Sequence, residues 1–378
     1  MNVMPMTKST TRLSIAMLEI IVALFLGMAI SRLGLGSVAW IFGGMGAGVI
    51  VVRSYQTIFK KTLKPNKVAR KIGQGMVGLS IGFAIADSNL LAASSRLPLF
   101  IFLTLFMLLC GSGIGYFYSR ISRTNLLNAM LATLPGGVAT MSSIAAEYNR
   151  NVSLVAMVQT LRITSVILII PLIAGTSGSA ANKTGFSLGD YLIDSNPVYL
   201  FFLILAIVAA WLGVNLASKL RIPAASFFGT LIVGIVFNYA IAYLAFVPNF
   251  DFTPPQAISL IGQILLGITV GEAWSNRVSI TGKNITHAFI SVAMTIASGF
   301  IAATIATLVT SWDWLTCMLV TAPGGSTEMI LVALALDRNP EIVTVAHSVR
   351  LMALNLSLPL WIFLFRYWEK QTIVSSDR

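Results

Sequence analysis

The chain has 378 residues, of which 56% are hydrophobic and only 10% are charged. Soluble proteins carry about a quarter charged residues, so this composition excludes an ordinary soluble domain and indicates a membrane protein. The net charge of +12 raises the question of a nucleic-acid partner. The Lys and Arg residues lie mainly in short loops between apolar runs, as in the bias that orients membrane helices, so no nucleic acid is expected. Cys110 and Cys317 lie in or beside apolar runs, which excludes a disulfide framework or a metal cluster.

Twelve apolar segments follow one another along the chain, several of them near the roughly 20 residues that a membrane span needs. The first six are approximately 13–31, 35–52, 72–86, 98–118, 125–147 and 152–174. After a polar interval the second six are approximately 197–217, 223–247, 256–274, 286–310, 313–336 and 341–365. Twelve segments make two sets of six.

The strongest signal is a stretch that occurs twice. Residues 135–172 and 323–360 align without a gap at an offset of 188. The coinciding pairs include Pro135/Pro323, Gly136/Gly324, Gly137/Gly325, Met141/Met329, Arg150/Arg338, Asn151/Asn339, Arg162/Arg350 and Pro171/Pro359. Shared hydropathy would not bring Pro, Gly, Asn and Arg into register, so the pattern predicts an internal duplication, with one repeat at 1–185 and the second at 186–378.

The basic residues predict that the two repeats have opposite orientations. In the first repeat, Lys and Arg fill the amino terminus, the loop 53–71 and the loop at Arg120 and Arg123. In the second repeat they fill the other loops, at Lys219 and Arg221 and at Arg277 and Lys283. Comparable loops have therefore switched sides of the membrane.

Inversion requires an odd number of crossings per repeat, so one of the six segments does not cross. The Pro-Gly-Gly segments 125–147 and 313–336 are the candidates, because proline interrupts a helix and glycines permit a tight reversal. The alternative is an ordinary spanning helix with a proline kink. The predicted fold is an all-α membrane protein of ten spans and two re-entrant hairpins, with both termini inside. This topology places 19 of the 25 Lys and Arg residues inside and four outside, namely Arg32, Arg96, Lys183 and Arg338.

The two hairpin tips form the predicted binding site. Irregular backbone at membrane depth survives only beside protein or a water-filled cavity, so the tips mark an internal site. Gly136, Gly137, Gly324 and Gly325 would place helix N-termini there, and two such ends favour an anion.

Arg162 and Arg350 lie near the middle of their spans, with Gln159 and His347 three residues earlier on the same helix face. A charged group at that depth is a functional candidate. One interpretation is a pair of cations that binds an anionic substrate. The other is structural, with the arginines bonded to hairpin carbonyls or paired with Glu328.

The second tip is the more polar one, because it contains Ser326, Thr327 and Glu328 where the first has Val138, Ala139 and Thr140. Glu328 is a candidate for a coupling proton or a Na⁺ neighbour, or for a structural ion pair with Arg350. Among the other acids in apolar runs, Glu272 lies near a span end and is expected to be solvated, and Glu19 has no assigned role.

The third segment of each repeat has glycines four residues apart, at Gly78 and Gly82 and at Gly267 and Gly271. This spacing favours close helix packing over a broken helix that lines a transport path.

The paired Pro-Gly-Gly…Arg-Asn…Arg blocks resemble the AbrB family of bacterial membrane proteins, and the resemblance extends over nearly the whole chain. It implies the same duplication and a link to inverted-repeat transporters, but no substrate. Family members also carry an ammonia monooxygenase label. An oxygenase metal site needs several His or carboxylate ligands. The chain has only two histidines, His287 and His347, so this label fits poorly.

The predicted function is secondary active transport of a small anionic solute by alternating access, with H⁺ or Na⁺ coupling left open. No enzymatic activity, cofactor or resident metal is expected, and the chain has no Walker-type sequence for ATP. The expected partners are the solute and membrane lipid, and homo-oligomer formation is left open. The expected location is the bacterial cytoplasmic membrane. The alternatives are a membrane-embedded regulator without transport and, less well supported, a membrane monooxygenase.

Overall fold

The computed structural model describes residues 8–33, 36–86, 88, 95–176, 195–243, 252–275 and 282–376. The predicted repeat boundary at 185/186 and the charged residues Lys183, Asp251 and Arg277 lie outside these ranges. Within them, the regular structure consists of fourteen helices and no strand. Those of the first half are α1 (Lys8–Ser31), α2 (Val38–Phe59), α3 (Lys67–Ile85), α4 (Leu97–Ser122), α5 (Leu126–Thr133), α6 (Val138–Glu147) and α7 (Val152–Thr176). Those of the second half are α8 (Pro197–Lys219), α9 (Ala225–Tyr243), α10 (Gln256–Ser275), α11 (Gly282–Val309), α12 (Trp314–Thr321), α13 (Ser326–Ala335) and α14 (Pro340–Ser376).

The helices of the second half recur at nearly constant spacing from those of the first. The bounds of α5 and α12, and those of α6 and α13, are both displaced by 188 residues. Pro171 and Pro359, which coincide in the alignment, both lie inside their helices, α7 and α14.

Nine helices in the described ranges are long and apolar enough to cross a membrane, so the protein is a multi-pass membrane protein. Large apolar side chains such as Phe25, Phe201 and Leu308 are exposed on them, as expected for surfaces that face lipid. The third predicted span of the first half, α3, is not in this set. Its first two turns carry Lys67, Arg70 and Lys71, which lower its hydropathy.

The chain forms two compact units, and each takes helices from both halves of the sequence. The first unit contains α1–α3 and α8–α10. The second contains α4–α7 and α11–α14.

In the first unit, α2 packs closely on α10, and α3 packs closely on α9. A Cβ at Gly44 of α2 would lie 2.5 Å from the Ile264 carbonyl oxygen, and a Cβ at Gly267 or Gly271 of α10 would meet the backbone of α2. Gly78 and Gly82 of α3 lie in the same way against the backbone of α9. The prediction that these glycines serve helix packing is therefore confirmed.

The second unit holds both Pro-Gly-Gly sequences. The long helices α4 and α11 pack on each other, and each also packs on the short helix that follows it, α5 or α12. All the residues predicted to bind substrate belong to this unit.

Candidate binding site at two broken helices

The first Pro-Gly-Gly sequence separates two short helices, which we call the first broken-helix segment (residues 126–147). Helix α5 ends at Thr133, and Pro135 follows where the backbone N–H of a continuing helix would be needed. Gly137 has φ +81°, a conformation that glycine adopts without strain. It is the N-cap of α6 and provides no side-chain cap, so the first amides of α6 have no side-chain acceptor at the cap position.

The second broken-helix segment (residues 314–335) has the same order of elements, but the backbone conformation of its second glycine differs from that of Gly137. Gly325 is the N-cap of α13 and has φ −70°, which any residue can adopt. A Cβ on Gly324 or Gly136 would overlap the side chain of Met329 or Met141 respectively, so that methionine would have to move. Met141 and Met329, which coincide in the sequence alignment, therefore pack against the first and the second tip respectively.

In both broken-helix segments, a hydrogen bond joins the beginning of the segment to its end. The backbone N–H of Asn151, just after α6, donates to Oδ1 of Asn128 in the first turn of α5, at 3.0 Å. In the second segment, Nδ2 of Asn339 donates to Oγ1 of Thr316 at 2.9 Å. The two ends of each broken-helix segment therefore lie next to each other.

A threonine at the end of the first short helix joins each segment to the preceding long helix. Oγ1 of Thr133 donates to the carbonyl oxygen of Gly111 on α4 at 3.0 Å. Oγ1 of Thr321 makes the same bond to the carbonyl oxygen of Gly299 on α11, also at 3.0 Å. Residues 111 and 299, like 133 and 321, are 188 positions apart.

Arg162 on α7 donates hydrogen bonds to backbone carbonyl groups of the first tip. Its Nη1 donates to the carbonyl oxygens of Thr133 at 2.9 Å and Leu134 at 3.1 Å. Its Nη2 donates to Oε1 of Gln159 at 2.7 Å, and Nε2 of Gln159 donates to the carbonyl oxygens of Leu131 and Leu134 at 2.9 and 2.8 Å. Arg162 is only 1% exposed, and its Nε is buried without a hydrogen-bond partner among the described residues.

Arg350 on α14 makes equivalent hydrogen bonds to backbone carbonyl groups of the second tip. Its Nη1 donates to the Ala322 carbonyl oxygen at 2.6 Å and its Nη2 to that of Gly324 at 3.3 Å. Nη2 also lies 2.6 Å from Nδ1 of His347, whose Nε2 is 2.9 Å from the Leu319 carbonyl oxygen. Because Arg350 can only donate, Nδ1 accepts and the His347 proton is on Nε2.

These bonds join four of the predicted site residues in two pairs, Gln159 with Arg162 and His347 with Arg350, in the structural role that the sequence left open. The guanidinium groups bond to tip carbonyls that a broken helix leaves without helical partners. Arg350 also borders a cavity of about 10 Å³, which it shares with Thr104 and Thr321 and which has room for a single water molecule. A role in binding substrate directly remains a prediction.

Positive charge exceeds negative charge around the tips. The side chains of Arg162 and Arg350 are both buried. Glu328 is the one buried acid among the residues that the structure describes in this unit. Two cations against one anion leave an excess positive charge in a region from which water is largely excluded.

Glu328 lies against the start of its own helix. It accepts a hydrogen bond from Oγ1 of Thr327 at 2.8 Å, and a Cβ on Gly325 would overlap its carboxylate. Thr327 and Glu328 are buried, whereas Ser326 is half-buried. The second tip therefore already has a carboxylate at the position where a helix N-terminus favours an anion.

The first tip has no such acid. Gly136, Gly137 and Val138 are half-buried, and Ala139 and Thr140 are exposed. The first turn of α6 is thus more accessible than the first turn of α13, although the two are equivalent in sequence.

Two acids outside the predicted site are also buried. Glu272 on α10 is only 1% exposed, so the expectation that it is solvated is wrong. It lies in the last turn of α10, but Asn66 and Arg12 contact its carboxylate and α2 packs against its backbone. Glu19 on α1 is 2% exposed.

The sequence reasoning assigned no role to the residues that close and anchor the broken-helix segments: Asn128, Asn151, Thr316, Asn339, Thr133 and Thr321. A signal was present, because Thr133 and Thr321, like Asn151 and Asn339, are identical residues at the offset of 188. Identical polar residues in register would have identified these four.

A family model described as "Transition state regulatory protein AbrB" matches residues 40–366 of this chain. The chain belongs to the AbrB family. The resemblance of the paired Pro-Gly-Gly blocks to that family is therefore confirmed.

Two relatives match this chain over much of their length. A protein of Escherichia coli (strain K12) named "Putative regulator AbrB" is 24% identical over 332 residues, which are 85% of this chain and 88% of that protein. "Uncharacterized protein YhjN" of Bacillus subtilis (strain 168) is 28% identical over 255 residues, 65% of each chain. The match to YhjN thus covers slightly less than two thirds of its length.

Proposed function

We propose that this AbrB-family protein is a secondary active transporter of a small anionic solute. The observation that carries the proposal is the pair of equivalent broken-helix segments in one unit, each held by a buried arginine. Broken helices with uncapped N-termini are the form in which transporters bind anionic groups within a membrane. A charged group within a spanning helix is costly, so two buried guanidinium groups in one unit support a function that uses positive charge.

In this proposal the two broken-helix segments are re-entrant hairpins, and the two halves of the chain are inverted repeats with ten spans in the bacterial cytoplasmic membrane. The positions of Lys and Arg in the loops support the inversion. The closed ends of each segment support the hairpins, because a chain that returns to its starting level does not cross the bilayer. Alternating access then exposes one site to either side in turn.

We place the solute at the start of α6 rather than at the start of α13. The first turn of α6 is exposed and has no acid, whereas Glu328 already lies against the start of α13. Gln159 and Arg162 hold the tip and supply positive charge behind it, as His347 and Arg350 do at the second tip. The anion is therefore bound mainly by backbone amides and by the field of the buried arginines.

Transport without catalysis or a resident cofactor is the function that these residues support best. The regulatory wording in the names of the family model and of the E. coli relative describes those sequences, and no feature of the part of the chain that the structure describes specifically favours regulation. A regulator without transport is the alternative that the following experiment distinguishes.

The test is made with the purified full-length protein. Thermal unfolding in detergent is measured with acetate, succinate, sulfate and inorganic phosphate, and each anion that stabilises the protein is then followed as a labelled solute in proteoliposomes. We expect at least one anion to raise the melting temperature and to cross the membrane in a protein-dependent manner. Stabilisation without flux would favour a sensor, and the absence of both effects would overturn the proposal.

A further inference from the structure

The first unit contains a pair of buried acids that the proposed transport site does not use. Glu19 lies on α1 and Glu272 on α10, and their side chains are 2% and 1% exposed. Both lie within helices that are long and apolar enough to span the membrane. Burying a carboxylate there is costly unless it is neutralised.

Only one of the two acids is supplied with hydrogen-bond donors. Oε2 of Glu272 accepts from the backbone N–H of Asn66 at 2.6 Å, and its Oε1 is 3.6 Å from Nη2 of Arg12. The buried Oε1 of Glu19 has no hydrogen-bond partner among the described residues. Ile15 and Ala23, one turn before and one turn after Glu19, belong to two apolar clusters.

Helices α1 and α10 meet in this unit, because Ala23, one turn after Glu19, and Ile268, one turn before Glu272, belong to the same apolar cluster. The charged residues at the carboxyl-terminal end of α2, Arg53 and Lys60, are both exposed. Ser275, three residues after Glu272 on α10, has a buried hydroxyl without a partner in the described part of the chain. Two acids therefore face one guanidinium group, which balances the charge of only one of them.

The equivalent helices of the other half, α3 and α8, pack without acidic residues. The equivalent junction of the other half is formed by α3, α8 and α9, and neither α3 nor α8 contains an acidic residue. Phe83 of α3 packs there against Phe237 of α9 and Phe252, with ring centroids 5.5 Å apart in both cases. An apolar cluster builds one junction, so the acidic pair at the other has a role besides packing.

We propose that Glu19 and Glu272 share one exchangeable proton, which makes this junction a proton-binding site separate from the tips. With one proton, the pair has a single negative charge that Arg12 balances, and Glu19 holds the proton because it lacks donors. Loss of the proton would leave a second negative charge buried, so it requires Arg12 or the acids to move. Such a movement of Glu272 would displace Asn66 and the start of α3, because the side chain of Asn66 caps α3 and its backbone N–H bonds to Glu272.

The test is infrared spectroscopy of the full-length protein in lipid nanodiscs at pH 7, in H₂O and in D₂O. A protonated carboxyl group gives a C=O stretching band that shifts in D₂O, whereas a carboxylate does not. We expect such a band in the wild-type protein, its loss in Glu19→Gln, and its persistence in the control Glu147→Gln, which alters an exposed acid on α6. A wild-type spectrum without the band, or a band that survives Glu19→Gln, overturns the proposal.

A second variant tests whether the proton is shared. In Glu272→Gln, Arg12 has only Glu19 left to neutralise, so Glu19 should become charged and the band should again be lost. A band that persists in Glu272→Gln would mean that Glu19 is protonated independently, and would overturn the shared site. This variant also serves if Glu19→Gln does not fold. The measurement needs no solute, so its outcome is independent of the proposed transport.

Discussion

Asn151 donates its backbone N–H to Oδ1 of Asn128 at 3.0 Å, and this bond joins the two ends of the first broken-helix segment. The second segment is closed at the same positions by Asn339 and Thr316, with different atoms. In the first case a side-chain amide accepts from the backbone, and in the second a side-chain amide donates to a hydroxyl. The two halves therefore close the segment at the same two positions but with different bonding groups. This indicates that the proximity of the two ends is conserved between the halves, whereas the type of hydrogen bond is not.

The first prediction concerns Arg162, which bonds to two tip carbonyls. Arg162→Ala removes these bonds and leaves the Thr133 carbonyl oxygen without its guanidinium partner. We expect the free energy of unfolding to fall by roughly 2 to 4 kcal/mol, on the scale of two charge-assisted hydrogen bonds. Thermal unfolding in detergent measures the effect. Arg123→Ala, which removes an exposed arginine from the end of α4, is the matched control and should change little. Equal stability of both variants would contradict the structural role of Arg162.

The second prediction concerns His347, which occupies the place of Gln159. Both side chains bond to a carbonyl oxygen of the first short helix and accept from the arginine three residues later. His347→Gln should therefore cost less than about 1.5 kcal/mol, whereas His347→Leu leaves an arginine donor and a carbonyl unpaired and should cost roughly 2 to 4 kcal/mol. Chemical or thermal unfolding of the two variants provides the comparison. A glutamine variant as unstable as the leucine variant would show that the imidazole itself is required.

Much of the fold could be predicted from the sequence, because it depends on hydropathy and on residues that interrupt helices. The broken segments were predicted at 125–147 and 313–336, and the helices lie at 126–133 and 138–147 and at 314–321 and 326–335. Pro135 and Pro323 lack the N–H that a continuing helix needs, so they interrupt the helix locally. This interruption can be predicted from the sequence alone.

The partners of buried polar residues could not be predicted in the same way, because they depend on long-range packing. Glu272 lies in the last turn of its helix and was expected to be solvated, yet Asn66, 206 residues earlier, covers its carboxylate. Which tip carbonyls Arg162 and Arg350 contact is likewise fixed by the register between helices. The division into two compact units, each with helices from both halves, is a further long-range property that no local pattern contains.

The third prediction concerns the close helix contact at Gly82. A Cβ there would meet the Leu231 backbone carbonyl and lie 2.9 Å from Cα of Gly234, so neither neighbour is a flexible side chain. Gly82→Ala should force α3 and α9 apart and lower the free energy of unfolding by about 1 to 3 kcal/mol. Gly113→Ala on α4 is the control, because a Cβ at Gly113 meets nothing within 4 Å and alanine favours a helix. Thermal unfolding should separate the two variants, and equal melting temperatures would show that α3 can shift without cost.

The fourth prediction exchanges the residues that distinguish the two tips, Thr140 and Glu328, which are equivalent in the duplicated sequence. Thr140→Glu gives the start of α6 a carboxylate of its own. If the solute binds there, this carboxylate should compete with it and weaken binding by at least about tenfold, or roughly 1.4 kcal/mol. Thr140 is exposed, so the folded protein should be preserved. The measurement is the concentration dependence of the thermal shift caused by whichever of acetate, succinate, sulfate or phosphate stabilises the wild-type protein.

The reciprocal change, Glu328→Thr, removes the carboxylate that lies against the start of α13, the one buried acid among the residues that the structure describes in this unit. The excess positive charge rises by one, so the same anion should bind more tightly than to the wild-type protein. Glu147→Gln removes an equal charge from an exposed position and serves as the control for net charge. Tighter binding in Glu328→Thr together with weaker binding in Thr140→Glu would assign the anion to the tips. Unchanged affinity in both variants would place it elsewhere, because both substitutions alter the local charge by a full unit.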